Sequence, residues 1–151
     1  LHTAYRRQRQ MCIRDRVNTS QVRETVLAVR GSKGMVLNPD DHDTWSAGSF
    51  FTNPLVSADQ VPQGAPAFAQ PDGRVKTSAA WLIDHAGYGK GFKVAEDAPA
   101  SLSTKHVLAL TNLGGASSDD LTILARTVID GVRDAYGITL VPEPRLIGCT
   151  I

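Results

Sequence analysis

The chain has little of what builds disulfide-stapled, metal-binding or membrane-spanning proteins. It contains 2 cysteines in 151 residues, too few for a disulfide scaffold. No cluster of cysteine and histidine has the spacing of a zinc site. No apolar run approaches the roughly 20 residues that a membrane-spanning helix requires. The sequence therefore predicts no disulfide framework, no bound metal and no membrane partner.

The apolar content is sufficient for a folded domain. Hydrophobic residues make up 42% of the chain and charged residues 21%, which suits one core and one domain, or at most two. The formal net charge of +1 suggests a mildly basic protein. That charge is unevenly distributed, because five arginines and only one acidic residue fall within residues 1–16.

A basic N-terminal arm of this kind could bind nucleic acid or serve as a transit peptide. A different origin fits the sequence better. The segment from Arg6 to Asp15 is the translation of CGT CGG CAG CGT CAG ATG TGT ATA AGA GAC, which resembles a widely used transposase sequencing adapter read in one frame. We therefore interpret residues 1–16 as a translated adapter that is not native, and we exclude them from the fold.

Excluding these residues reverses the charge. The remainder carries 11 basic and 14 acidic residues, so its formal net charge is −3. No other feature then suggests a nucleic-acid partner. Cys149 is the one cysteine that remains, which suits a reducing cytoplasm. We expect a cytoplasmic protein that does not bind nucleic acid.

Short extended segments and two amphipathic patterns indicate an α+β fold, favoured over α/β. Helices are predicted over Thr77–Ala86 and Ser117–Tyr136, because each segment starts at a serine or threonine cap and stops at a glycine. A proline-rich surface connection is predicted over Gln60–Gly73. Extended segments are predicted at Val22–Arg30 (a strand or the end of a helix–strand unit), Met35–Leu37, Ala47–Val56, His106–Thr111 and Ile138–Val141.

The most unusual motif is Ala-Gly-Ser-Phe-Phe-Thr-Asn-Pro at residues 47–54. Gly48 allows a backbone to approach a ligand closely, Ser49 offers one transferable proton, and Asn53 can both donate and accept hydrogen bonds. A serine hydrolase is not indicated, because the G-x-S-x-G pattern is absent. The alternative is structural: a tight turn with two core phenylalanines.

For the other candidate motifs, a structural interpretation also stands beside the functional one. Arg30 and Lys33 flank a glycine turn and could bind a phosphate or a carboxylate, or could simply be solvated. The segment 87–91 resembles part of a dinucleotide-binding glycine loop, but it follows a predicted helix instead of a strand, which favours a flexible connection. Three histidines lack metal partners at suitable spacing: His42, His85 and His106.

Near the C-terminus, Glu143 lies between Pro142 and Pro144, just before Arg145. Proline stiffens the backbone and holds the carboxylate in place, which suits a positioned acid or an electrostatic group. The alternative is a surface glutamate paired with Arg145.

Taken in order, five segments resemble the C-terminal part of the UDP-N-acetylenolpyruvoylglucosamine reductase family. They are RGSKGMV, SAGSFFTNP, KTSAAWLIDHAGYGKG, STKHVLALTN and LVPEPRLIGC. The resemblance runs from about Val22 to the end, and the patterns AGSFF-x-NP and PE-x-x-x-IG are specific to the family. The polar insertion NPDDHDTW is similar to that of one branch of the family.

This resemblance implies an enzyme of peptidoglycan precursor synthesis, and so of cell-wall formation. Members of the family reduce UDP-N-acetylglucosamine enolpyruvate to UDP-N-acetylmuramate. NADPH reduces FAD, which passes a hydride from its N5 to the methylene carbon of the enolpyruvyl ether. No protein partner is implied.

The resemblance also implies roles for individual residues. Ser49 would donate the proton that completes the reduction, and Glu143 would stabilise or protonate the enolate. Five more residues would contact the substrate or the cofactor: Lys33 and Asn53 at the diphosphate, Arg30 beside them, Arg145 near the substrate, and Gly48 close to the flavin.

Domain boundaries follow from the same resemblance. Residues 17–33 would be a short remnant of the FAD-binding domain, 34–140 the substrate-binding domain, and 141–151 a segment returning to the FAD domain. The family's glycine-rich pyrophosphate loop and catalytic arginine are expected before Val17, so we expect this chain to be inactive alone. The alternative is a non-catalytic module that binds a nucleotide sugar or another protein.

Overall fold

The computed structural model of the chain describes residues 18–151, so the interpretation of residues 1–16 lies outside the described part. Residues 18–151 form three helices and five short strands, together with single 3-10 turns at His42–Thr44 and Ala58–Gln60. The elements are α1 (Thr19–Gly31), β1 (Leu55–Val56), β2 (Ala67–Ala69), β3 (Val75–Thr77), α2 (Ala79–His85), β4 (Ala100–Leu102), β5 (Leu110–Asn112) and α3 (Ser118–Tyr136).

The strands form two small antiparallel sheets. The first has the order β1-β3-β2, with Lys76 of the central strand opposite both Leu55 and Phe68. The second pairs β4 with β5, with Ser101 opposite Thr111. Helices combined with small antiparallel sheets give an α+β architecture, as the sequence predicts.

The core lies where α2 and α3 pack together and against the second sheet. Leu82 from α2, Leu102 from β4, and Leu124 and Val128 from α3 are fully buried there. In α3, Ser117 and Asp120 form a capping box, and Gly137 ends the helix in the left-handed conformation at φ 68°. Local caps and an apolar stripe therefore determine this helix, as expected.

Several predicted extended segments are wrong in detail. Residues 22–30 belong to helix α1, because Asn18 and Gln21 form a capping box that starts a helix there. Of the predicted strand His106–Thr111, only Leu110 and Thr111 belong to strand β5, while Ala109 forms an isolated bridge and the chain before it folds into turns. Residues 35–37 and 138–141 are not strands, and the connection 60–73 contains β2.

Candidate active site

Ser49 lies on an extended segment that pairs on both sides. Ser49 forms an antiparallel bridge with Ala109, and the Phe50 N–H donates to the Leu108 carbonyl at 2.8 Å. Gly48 turns the chain just before this segment at φ 85°, a conformation that glycine adopts without strain. The ring of Phe51 is buried in the core. Ser49 is therefore half-buried on a backbone that is held in place from several directions.

Glu143 reaches the same place from the other end of the chain. The Glu143 N–H donates to the Phe50 carbonyl at 2.8 Å, and Phe51 bridges Pro142. Ser49 and Glu143 consequently line a common open cleft of about 940 Å³, together with Arg30 and Trp45. A volume of this order is typical of ligand sites in proteins.

A smaller polar cavity of about 350 Å³ joins Ser49 and Glu143 to Asn53 and Lys76. Lys76 lies on β3 between the buried Thr77 and the half-buried Val75, and its own side chain is exposed. Sequence reasoning missed Lys76. Val75 and Thr77, which are β-branched, could have predicted a strand with Lys76 on the opposite face, but not the proximity of Lys76 to Ser49.

His106 is the second residue that sequence reasoning missed. Its Nε2 atom lies 3.0 Å from the Ser49 Oγ atom, at hydrogen-bonding distance. Burial, followed by the nearby charges of Lys33 and Lys90, holds the pKa of His106 below its usual range. The imidazole is therefore neutral near pH ~7. Spacing to other metal ligands was the wrong criterion for this histidine, since its partner is a hydroxyl 57 positions away.

The other predicted site residues are only partly brought together. Arg30 lines the larger cleft, and Lys33 is exposed but close enough to His106 to influence its pKa. Asn53 lines the polar cavity, its Oδ1 accepts a hydrogen bond from the Ala79 N–H at 2.9 Å, and no described residue hydrogen-bonds to its Nδ2 group. Arg145 is exposed and belongs to the described lining of neither cavity.

Within residues 18–151, no group of three or more histidine, cysteine, aspartate or glutamate side chains could hold a metal ion. In the same part of the chain, no helix combines the length and apolar character needed to cross a membrane.

Comparison with known proteins identifies the family. The family model for the UDP-N-acetylenolpyruvoylglucosamine reductase C-terminal domain matches residues 38–147. The reductase of that name from Cutibacterium acnes is 90% identical over 137 residues, which cover 91% of this chain and 36% of that protein. The reductase from Mycobacterium tuberculosis is 54% identical over 148 residues (91% and 40%), and that from Streptomyces avermitilis 55% over 150 residues (89% and 40%).

The chain thus spans between 36% and 40% of the length of these three relatives. The motif-based resemblance is confirmed, since the family model covers well over half of the residues. The chain belongs to the family of UDP-N-acetylenolpyruvoylglucosamine reductase C-terminal domains.

Proposed function

We propose that this chain supplies the substrate site and the proton donor of a flavin-dependent reductase. The reaction is the reduction of UDP-N-acetylglucosamine enolpyruvate to UDP-N-acetylmuramate in the cytoplasm, for peptidoglycan synthesis, with FAD as cofactor and NADPH as reductant. The family match and the names of the relatives support this proposal. No specific observation favours the alternative of a non-catalytic module.

The observation that carries the proposal is that Ser49 and Glu143 share one cleft. These residues are far apart in sequence, and backbone hydrogen bonding at Phe50 and Phe51 brings them together. A hydroxyl and a carboxyl group that border the same open cleft can both take part in proton transfer to a bound enolate. The polar cavity between them contains one cation, Lys76, that can balance negative charge.

When bound, the flavin would supply the hydride that the methylene carbon of the enolpyruvyl group accepts. The Ser49 Oγ–H then gives its proton to the adjacent carbon, so that the O–H bond breaks and a C–H bond forms. A serine hydroxyl is a weak acid, but the carbon of an enolate is a strong base, so a well-placed hydroxyl is sufficient. Glu143 would stabilise or protonate the enolate.

Binding of the UDP-sugar would use the positive and amide groups around the cleft. Lys76 and the Nδ2 group of Asn53 border the polar cavity, and Arg30 borders the larger cleft. Lys33 would contribute from the edge, where it is exposed. Lysine and arginine side chains suit a diphosphate, because each delivers positive charge to its oxygens. Arg145 remains a candidate near the substrate.

Among the described residues, the backbone at Gly48 is where a flavin ring could approach. A Cβ atom added at Gly48 would meet nothing within 4 Å, so this backbone faces open space in which a flat ring system could lie close. We assign none of the described residues to binding of the FAD pyrophosphate. We infer that most of the FAD site lies outside it, and that the isolated chain retains no flavin and is inactive.

Glu143→Gln tests the proposal in the full-length enzyme that carries this segment. We expect substrate-dependent NADPH oxidation to fall by about 10²-fold, the worth of a side chain that takes part in proton transfer. Glu96→Gln, an exposed position away from the cleft, serves as the matched control and should leave the rate unchanged. Equal rates for the wild type and Glu143→Gln, or no dependence on the enolpyruvyl substrate, would contradict the proposed function.

A further inference from the structure

We propose that His106 is a positioning residue for Ser49, carrying its proton on Nε2 and donating a hydrogen bond to the Ser49 Oγ atom. The serine proton is then left to point at the substrate. This inference rests on the proposed function of Ser49, and it adds a residue to that function.

The positions of His106 and Ser49 support a hydrogen bond between their side chains. The Nε2–Oγ distance is 3.0 Å, and both side chains are half-buried. The Ala109 N–H donates to the His106 carbonyl at 2.9 Å, and Ala109 in turn forms the bridge with Ser49. Backbone contacts therefore hold the two residues close together, and the side-chain contact does not depend on a mobile loop.

A buried serine, Ser103, stabilises the turn that carries His106. The buried Ser103 Oγ atom accepts hydrogen bonds from the His106 N–H at 3.1 Å and from the Lys105 N–H at 3.0 Å. Satisfying two backbone donors with one buried hydroxyl leaves this turn few other conformations.

The polar insertion at residues 38–45 fixes the same turn from outside. The Asp43 carboxylate accepts hydrogen bonds from the Thr104 N–H at 2.8 Å and from the Thr104 hydroxyl at 3.0 Å. Lys105 pairs with Asp41 and lies 3.7 Å from Asp43. The insertion, whose Trp45 also lines the larger cleft, would thus help to hold the histidine beside the serine.

Proton chemistry determines the direction of the hydrogen bond. If His106 accepted the Ser49 proton, that proton would point at the imidazole and away from the substrate carbon. If His106 donates, the hydroxyl proton is free, and the Nε2–H group stabilises the negative charge that remains on Oγ when the proton leaves. Oγ then recovers a proton from water, and His106 stays neutral throughout.

The charges around His106 agree with a neutral ring. Burial, followed by the charges of Lys33 and Lys90, lowers its pKa, while the neighbouring Lys105 is paired with Asp41 and Asp43. A neutral imidazole holds a single proton, which lies on either Nε2 or Nδ1. The nitrogen that carries this proton can be identified by experiment.

Nitrogen-15 NMR of this chain tests the tautomer directly. Long-range correlation spectra of the imidazole rings identify His106 by the signal that disappears in His106→Gln. We expect the Nε2–H tautomer near neutral pH and a changed Nε2 shift in Ser49→Ala, while the rings of His42 and His85 keep their shifts. A proton on Nδ1, or a His106 signal that does not respond to Ser49→Ala, would overturn the inference.

Kinetics of the full-length enzyme separate positioning from a merely structural role. His106→Ala should slow the oxidation of reduced flavin by the enolpyruvyl substrate about 10- to 100-fold, the worth of a hydrogen bond to a charged group. His106→Gln keeps an N–H donor and should restore most of that rate. Both variants should leave flavin reduction by NADPH unchanged. Equal slowing by alanine and glutamine, while Ser49→Ala still slows oxidation, would overturn the inference without affecting the proposed function.

Discussion

Ser49 has an ordinary hydroxyl, and its proposed chemistry depends on what surrounds it. Gly48 turns the backbone before it, His106 lies at hydrogen-bonding distance, and Glu143 lines the same cleft. These neighbours are proposed to act by positioning the hydroxyl group and not by making serine a strong acid. Their proposed effect is to orient one proton toward the bound substrate, which is what a positioned general acid needs.

His106 also makes stability depend on pH. Its pKa is lowered in the folded chain by burial and by Lys33 and Lys90. In the unfolded chain the ring takes up a proton near pH ~6.5, so acidification favours unfolding. The contribution is fully present above that pH and is lost as the pH falls through the lower folded-state pKa.

We therefore expect the wild type to lose more unfolding free energy than His106→Gln between about pH 7 and about pH 5. Urea unfolding at several pH values measures the difference. The other titratable groups are common to both proteins, so their contributions cancel in the comparison. Parallel pH profiles would show that burial does not perturb His106.

At the scale of elements, the contact between α3 and the turn after α2 depends on a glycine inside a helix. A Cβ atom placed on Gly131 would lie 1.9 Å from the Tyr88 hydroxyl oxygen and 2.2 Å from a ring carbon of Tyr88. Glycine normally weakens a helix interior by about 1 kcal/mol relative to alanine. Here the missing side chain allows a tyrosine to pack against the helix.

Gly131→Ala should therefore destabilise the chain by about 1–3 kcal/mol, the typical cost of overpacking, despite the better helix propensity of alanine. The same substitution made in a Tyr88→Ala background should stabilise the chain, because the clash is gone. Urea unfolding of the four proteins gives both effects and their coupling. A stabilising Gly131→Ala in the wild-type background would show that Tyr88 does not pack as described.

The elements that could be predicted are those with local signals. The helices α2 and α3 follow from a serine cap, an apolar stripe and a terminal glycine, and each was predicted to within two residues. Helix α1 was missed because its apolar residues include several valines, which are typical of strands, while its Asn18 cap was overlooked.

The site residues also divide into those with a local sequence signal and those without one. Ser49 and Glu143 belong to short motifs, so a motif-based resemblance can name them. Their meeting depends on backbone bonds between distant segments, as does the contact between Ser49 and His106, and nothing local reports such pairings. Lys76 was missed for the same reason, since the polar cavity forms only when β3 packs beside residues 49–53.

At the scale of the whole molecule, the described part divides into a packed body and one exposed helix. Helix α1 has no buried residue, whereas α2 and α3 supply much of the core. The family model begins at residue 38, beyond α1. The assignment of residues 17–33 to a flavin-binding domain, of 34–140 to the substrate domain and of 141–151 to a returning segment stays a prediction.

Delivery of the proton by Ser49 can be tested in the full-length enzyme by stopped-flow flavin absorbance, which separates the two half-reactions. Ser49→Ala should leave flavin reduction by NADPH nearly unchanged. It should slow oxidation of the reduced flavin by the enolpyruvyl substrate about 10²- to 10⁴-fold. Ser118→Ala, an exposed position on α3, should slow neither step. Equal slowing of both half-reactions by Ser49→Ala, or no slowing of either, would contradict the account.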